Sequence, residues 1–382
     1  MSVPISEFWK LAIKSRLLTA EQCEQLYTSF GQVKGADTCG NARTLTEWLI
    51  SKNALTRYQT RILLSGRSGP FFFGDYKIYD SIKQGPFAGM FRAVHTPTSH
   101  PVVLQFLTGP DVESPGLWTG LEARLQRQVG TQYPHLYRCF EVVDSGTFKF
   151  LVIESLGGIS VEDTISAAEP LAPQEACRIA RCAALGLAEL HQMKAVHGDV
   201  RPRHLWIENG GNVRLLRDPV GAPAPVVLTQ PDADGTLLAR ADYLAPEFLQ
   251  HGKKPDALTD IYALGCSLYE LLAGRPPFPG GDVHQKINRH ANQPIQPLEQ
   301  MGIPQPIAQL VTYVTAKNPS VRYQRVAQVA EQLTPLVDPD RLNVQPPAPA
   351  ATLAVYERSI QQNQTLTATT EDYALPALFL TR

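Results

Sequence analysis

The sequence predicts an α+β protein with a small antiparallel-sheet lobe, a larger helical lobe and a small all-helical module in front of both. Helical periodicity runs through residues 1–68, and short β-branched and aromatic runs bounded by Gly, Pro and Ser fill residues 73–154. Long helical patterns then dominate residues 155–336. Strands followed by helices, rather than alternating with them, are typical of a segregated two-lobed arrangement.

The N-terminal helical module is also indicated by capping signals. Thr19, Thr44 and Thr56 are each followed three residues later by Gln or Glu, a spacing that lets the side chain of each residue cap the backbone of the other. We therefore expect helices to begin at these three threonines. Gly66 to Gly69 is then expected to be a short linker to the first strand.

The strands and the main helix follow from the same pattern rules. Residues 259–273 are apolar on nearly all sides and are followed by Gly274, which predicts a buried central helix. Residues 337–382 are rich in Pro, Ala, Gln and Thr, and we expect them to be mostly disordered. The clearest predicted strands are Tyr76–Tyr79, Met90–His95, Pro101–Leu107 and Phe148–Glu154.

Composition excludes several classes of function. Lys and Arg total 35 against 36 Asp and Glu, so no net charge attracts nucleic acid or an acidic membrane surface. No apolar run approaches the ~20 residues that a membrane span requires, and residues 1–18 lack the apolar core of a signal peptide. The six cysteines are scattered without a C-x-x-C motif. We expect reduced thiols, a cytoplasmic location and no nucleic-acid partner.

Stretches of the helical lobe resemble Ser/Thr protein kinases. These are Ala245-Pro246-Glu247, residues 260–278 and residues 318–323, in the order and spacing of that family. The resemblance covers about residues 73–336, and the preceding helical module is similar to kinase-like proteins of planctomycete bacteria. It implies a buried ion pair between Glu247 and Arg322, and it implies that Asp260 braces the catalytic loop. These three residues are therefore assigned structural roles.

The positions that carry phosphoryl transfer in the family are mostly altered. That reaction needs a loop over the phosphates, a Lys held by a Glu, metal ligands and an Asp that orients the nucleophile. The aspartate is retained as Asp199, the only matched catalytic residue. The other positions are Gly85, the one matched glycine of the phosphate loop, Gln105 for the Lys, Arg124 for its Glu partner, His204 for the metal-binding Asn and Arg217 for the metal-binding Asp.

Arginines replace two further residues of the family pattern, one in the catalytic loop and one before Ala245-Pro246-Glu247. Arg201 replaces a Lys of the catalytic loop, and Arg240 replaces a Thr that hydrogen-bonds the catalytic Asp in the family. Losing one preorganised electrostatic group costs ~2.7–4 kcal/mol of transition-state stabilisation, and such losses are not additive. Half of the summed cost of three losses already removes useful kinase activity. We therefore expect a catalytically impaired domain, or pseudokinase, with Asp199 vestigial, no resident metal or cofactor, and no productive Mg-ATP binding.

Several roles stay open at this stage. Trp206, which replaces an aliphatic residue at the lower wall of the family's adenine pocket, either fills that pocket or is an ordinary buried Trp. Arg217 either pairs with phosphates in place of a metal or forms a surface contact or an ion pair with Asp199. Lys83, at the first glycine position of the phosphate loop, is a poor substitute for the missing Lys.

Three functions remain in competition. The leading hypothesis is a protein-binding, scaffolding or allosteric signalling module with an unidentified protein partner. The first alternative is a weak or unconventional Ser/Thr kinase that uses Asp199, Asp218 and a borrowed cation. The second alternative is a nucleotide sensor that binds ATP without transferring phosphate.

Overall fold

The computed structural model describes residues 3–34, 42–108, 115–126, 133–146, 148–166, 170–217, 236–249, 254–342 and 352–363. The chain divides into two compact units. The first comprises Met1–Leu125, Cys139–Ser155 and Pro349–Arg382, and the second comprises Gln126–Arg138 and Leu156–Ala348. An antiparallel sheet dominates the first unit and helices dominate the second, which confirms the α+β prediction.

An antiparallel sheet forms the centre of the first unit. Its strand order is β1-β2-β3-β4-β6-β5. Each strand expected from the sequence is present within a residue or two, because β-branched and aromatic side chains fit a half-buried pleated surface. The strands are β1 Phe72–Phe73, β2 Tyr76–Ser81, β3 Phe91–His95, β4 His100–Phe106, β5 Cys139–Asp144 and β6 Lys149–Glu154.

Helices make up most of the remaining described residues of the first unit. Reciprocal capping forms at Thr19 with Gln22 and at Thr56 with Gln59, as predicted. The expectation of a cap at Thr44 is wrong, because the helix already begins at Ala42 and Thr44 lies inside it. The helices are α1 Ile5–Lys14, α2 Ala20–Lys34, α3 Ala42–Ser51, α4 Arg57–Leu64, α5 Pro115–Gln126 and, from the C-terminal segment, α13 Leu353–Asn363.

The N-terminal helices and the sheet share one hydrophobic core. Phe8, Leu45 and Leu63 of the helices are buried in the same cluster as Ile78 and Leu104 of the strands. Two polar contacts add to it, since the Thr56 hydroxyl donates to Tyr79 O and Gln59 Nε2 donates to Ile78 O at 2.9 Å. The module expected over residues 1–68 is therefore part of the sheet unit rather than a separate core.

The C-terminal segment differs in part from the expected disorder. Leu353–Asn363 forms α13, and Tyr356 on this helix is completely buried in the core of the first unit. The composition of this segment, rich in small and polar residues, predicts disorder. That prediction takes no account of a single aromatic residue, Tyr356, that fits into the core. Residues 343–351 and 364–382 lie outside the described residues.

The second unit is built around the predicted central helix. Gly274 ends this helix in the left-handed conformation at φ 70°. Gly265 lets α11 approach closely, because a Cβ there would lie 2.6 Å from the Val314 side chain. The helices are α6 Val161–Ser166, α7 Pro173–Gln192, α8 Thr236–Arg240, α9 Ala257–Ala273, α10 Val283–Asn292, α11 Gln305–Val314 and α12 Val326–Leu333.

A small antiparallel sheet positions the candidate site in this unit. Its order is β7-β8-β9, with β7 at Gly158–Ser160, β8 at Leu205–Glu208 and β9 at Val213–Leu215. The loop that contains Asp199 lies between α7 and β8. Among the described residues, no helix has the length and apolar character needed to span a membrane.

Candidate functional site

The loop around Asp199 is anchored to the central helix through Asp260. The Asp260 carboxylate accepts from His197 N at 2.9 Å, from Gly198 N at 2.8 Å and from His191 Nε2 at 2.8 Å. Asp260 is 1% exposed, so these bonds replace the water that the carboxylate loses on burial. The result is a loop whose backbone is fixed just before Asp199.

Histidine 197 adds a second fixed point. Its Nε2 donates to Leu216 O at 2.8 Å, and its Nδ1 accepts from Asp199 N at 3.2 Å. A ring that donates at one nitrogen and accepts at the other is neutral. Burial lowers the pKa of His197 and outweighs the opposite effect of Asp260, in agreement with that state.

The Asp199 carboxylate faces two arginines. Its Oδ1 lies 3.1 Å from Arg201 Nε and 3.8 Å from Arg240 Nε. The side chains of Arg201, Arg240 and Asp199 are 8%, 10% and 13% exposed, so all three are largely removed from water. Ion pairs of this kind are screened much less than surface pairs. The one catalytic residue retained from the family pattern is thus held in an ionic cluster, which we call the Asp199 cluster.

Histidine 204 occupies the other side of Asp199. Its Nδ1 donates to the Asp199 carbonyl oxygen at 2.7 Å and lies 3.5 Å from the carboxylate Oδ2. Burial lowers the pKa of His204 to about 4, and the charge of Arg201 acts in the same direction. The ring is therefore neutral at pH 7 and presents nitrogen, whereas Mg²⁺ prefers oxygen ligands.

Arg217 lies two residues after the end of β9 and is half-buried. Its charge acts to lower the pKa of His197, so it lies within electrostatic range of the Asp199 loop. Arg201 and Arg240 form ion pairs with Asp199. Asp218, which the alternative kinase hypothesis invokes, lies outside the described residues.

Tryptophan 206 lies on β8 against β7. Its Nε1 donates to Gly157 O at 3.3 Å, and a Cβ on Gly158 would come within 2.9 Å of the same nitrogen. Gly158 therefore leaves room for the indole, and the Gly157 carbonyl accepts its hydrogen bond. The side chain is half-buried. Whether it occludes an adenine pocket stays a prediction.

The remaining site positions belong to the first unit. Gly85 lies in the turn after β2 at φ 76°, a conformation that favours glycine. Gln105 lies on β4, and its buried Oε1 accepts no hydrogen bond from the described residues. Arg124 lies on α5, but its side chain is outside the described part of the chain. Lys83 is exposed.

Glu247 and Arg322 form a bidentate ion pair in the second unit. Arg322 Nη1 donates to Glu247 Oε1 at 2.6 Å and Nη2 donates to Oε2 at 2.8 Å. The side chain of Arg322 is 0% exposed and that of Glu247 is 4% exposed. The planar fork of Arg matches a carboxylate, which makes this the geometry of a strong charge-assisted pair.

Comparison with known proteins agrees with this architecture. Residues 76–334 match the protein kinase domain family, and the chain belongs to that family. Relatives include Serine/threonine-protein kinase PrkC of Bacillus subtilis (26% identical; 71% of this chain and 42% of the relative) and Serine/threonine-protein kinase PknB of Mycobacterium leprae (26%; 69% and 43%). Another is Serine/threonine-protein kinase PkaB of Streptomyces coelicolor (32%; 55% and 51%). The chain thus spans about half or less of the length of these relatives.

Sequence reasoning identified Arg201 and Arg240 as replacements but missed that both meet the same oxygen of Asp199. The signal was available in principle, because each replaces a family residue that neighbours the catalytic Asp. The second of these contacts depends on the position of α8, which carries Arg240. Arg240 lies 41 positions after Asp199 in the sequence. No sequence pattern predicts that side chains so far apart in the chain meet at one atom.

Proposed function

We propose that this chain is a pseudokinase, a protein kinase domain that transfers no phosphate and acts as a protein-binding, scaffolding or allosteric signalling module. The observation that carries the proposal is the Asp199 cluster. In the family this aspartate orients the substrate hydroxyl. Here Arg201 and Arg240 both face its Oδ1, so one of its two carboxylate oxygens is engaged in a largely buried ionic cluster. The other oxygen, Oδ2, lies 3.5 Å from His204 Nδ1, whose proton goes to the Asp199 carbonyl oxygen.

The metal requirement supports the same proposal. Kinases hold Mg²⁺ with an aspartate and an asparagine oxygen. The described residues at those positions are a neutral imidazole and a guanidinium, and they do not fit a hard divalent cation. Gln105 in turn supplies no positive charge for phosphates, since a primary amide is neutral. We therefore propose no resident metal and no productive Mg-ATP complex.

The structural residues argue for a retained fold with a changed role. Asp260 holds the loop, and the Glu247–Arg322 pair is complete. Chain architecture is thus kept while the groups that act on ATP are replaced. A kinase fold that is retained without the groups that act on ATP is suited to binding another protein.

The alternative is a weak or unconventional Ser/Thr kinase. Two observations favour it: Asp199 is retained on a braced loop, and the relatives are named as serine/threonine kinases. Incubation with radiolabelled ATP and either Mg²⁺ or Mn²⁺, with a generic basic protein as substrate, separates the two readings. We expect equal background label for the wild type and Asp199→Asn. Label that depends on Asp199 would establish the kinase.

A stability measurement tests the Asp199 cluster directly. Asp199→Asn leaves Arg201 and Arg240 close together and largely buried without their counter-charge, which should destabilise the protein by roughly 1–3 kcal/mol. Asp340→Asn is the matched control, because Asp340 lies in the same unit and is exposed. Thermal unfolding gives both values. An Asp199→Asn variant as stable as the wild type would contradict the conclusion that the Asp199 carboxylate stabilises the two arginines.

Thermal unfolding in the presence of ATP tests the nucleotide-sensor hypothesis. A ligand at ~100 times its dissociation constant adds ~2.7 kcal/mol of stability. We expect millimolar ATP, with or without Mg²⁺, to leave the unfolding temperature unchanged. A saturable upward shift would favour the sensor over the scaffold.

A further inference from the structure

One end of the sheet in the first unit carries a row of buried polar aromatic residues. Tyr76 on β2 pairs in register with His95 on β3, which pairs with His100 on β4. These side chains are 5%, 1% and 5% exposed. Phe140 and Glu141 on β5 complete the group. We call these five residues the tyrosine site.

Tyr356 of α13 fills the tyrosine site. Its ring stacks on His100 at 4.9 Å with an interplanar angle of 18°, and it contacts His95 at 5.0 Å and Phe140 at 5.4 Å in edge-on geometry. Tyr356 has no exposed surface. Ring contacts on three sides identify a shaped receptor for one aromatic side chain.

Hydrogen bonds make the fit specific for tyrosine. Tyr76 donates its hydroxyl proton to Glu141 Oε2 at 2.5 Å, so at the 3.0 Å contact with Tyr356 the proton comes from Tyr356. A phenylalanine at 356 would leave the Tyr76 oxygen without this donor. At the start of the helix, Thr352 Oγ1 contacts His100 Nδ1 at 2.8 Å. The segment is thus recognised by a Thr and a Tyr four positions apart.

The helix depends on this site for its stability. An 11-residue helix is below the ~12–15 residues at which isolated helices become even marginally stable in water. Beyond Tyr356, its contribution to the core is limited to the partly buried Leu353 and Ile360, while Val355 is 48% exposed. A short helix held mainly by one anchor residue can leave and return without unfolding the rest of its unit.

We propose that the tyrosine site is a reversible docking site for a helical Thr-x-x-x-Tyr segment and that residues 352–363 of the same chain occupy it. The segment and its site belong to the same compact unit, since Pro349–Arg382 and Cys139–Ser155 both fall in the first unit.

Competition by a free peptide tests the proposal on the full chain. The probe is a fluorescein-labelled peptide of residues 350–364. A linked segment competes at an effective concentration of about 1 mM, so wild-type protein should bind the probe weakly. Tyr356→Ala weakens the linked segment by roughly 100-fold or more and should therefore bind the probe at least about tenfold more tightly than wild type does. Val355→Ala is the matched control and should behave as wild type.

Altered probes test specificity in the same assay. A probe with Phe for Tyr356 loses one hydrogen bond and should bind the Tyr356→Ala protein ~2–12-fold more weakly. A probe with Ala there should not bind measurably. Equal affinity for all three probes, or no binding of the unaltered probe by a folded Tyr356→Ala protein, overturns the proposal.

Hydrogen exchange of the wild type covers the case in which Tyr356→Ala does not fold. Amides of 353–363 should exchange through an opening that is more frequent than the opening of the sheet amides in β3 and β4. Exchange of α13 only with global unfolding would refute reversible docking. Dimers that form through exchange of α13, detected by light scattering, would assign the site to a second copy and overturn its occupation within one chain.

Discussion

Glu247→Gln is the sharpest test of what stabilises the second unit. The substitution keeps the shape of the side chain but removes the charge that faces Arg322 at 2.6 and 2.8 Å. Arg322 cannot move to water, since its side chain is 0% exposed. Removing one partner of a buried pair typically costs 3–5 kcal/mol because the other charge remains buried.

The surroundings of Arg322 place the cost at the lower end of this range. Its guanidinium also donates to Ala316 O at 2.7 Å and to Leu258 O at 2.9 Å, and it lies 4.7 Å above the ring of Tyr262. These groups solvate part of the charge that Glu247 leaves behind. We therefore expect a loss of about 3 kcal/mol. For a unit of this size that corresponds to a fall of roughly 6–12 °C in the unfolding temperature.

Circular dichroism melts and urea unfolding measure this loss. Glu331→Gln is the matched control, because Glu331 is exposed on α12 and the same chemical change there should cost less than about 0.5 kcal/mol. The double variant Glu247→Gln with Arg322→Met should recover part of the stability, since it removes the unpaired charge. A Glu247→Gln variant that melts with the control would refute the reasoning.

Two other predictions concern buried polar groups. Gln105→Met removes a buried amide oxygen that accepts no hydrogen bond from the described residues, and it should stabilise the first unit by roughly 1 kcal/mol in urea unfolding; a clear destabilisation would contradict this. Burial lowers the pKa of His204 to about 4 and of His290 to about 3, from an ordinary 6.5. Below pH 6.5 the two rings bind protons in the unfolded chain but not in the folded chain. The free energy of unfolding therefore decreases as the pH falls below 6.5. NMR titration should show both rings unchanged from about pH 8 to 5, and an inflection near 6.5 would be the contrary result.

The sequence determined the elements whose signals are local. The strands around Tyr76 and Phe148, the reciprocal caps at Thr19 and Thr56, and the apolar helix that ends at Gly274 each depend on residues within a few positions of one another. The family motifs likewise placed Asp199, Asp260, Glu247 and Arg322, because their spacing is fixed by the fold. Which chemical groups occupy the altered positions is also a property of the sequence alone.

The tertiary structure decided which of these groups meet. Arg240 reaches Asp199 only because α8 brings it there, and the N-terminal helices share a core with the sheet although their pattern read as a separate module. Tyr356 meets Tyr76 across 280 positions of the chain, from a segment whose composition indicated disorder. Contacts of this kind gain their energy from burial and complementary hydrogen bonds, which depend on three-dimensional proximity and leave no periodic trace in the sequence.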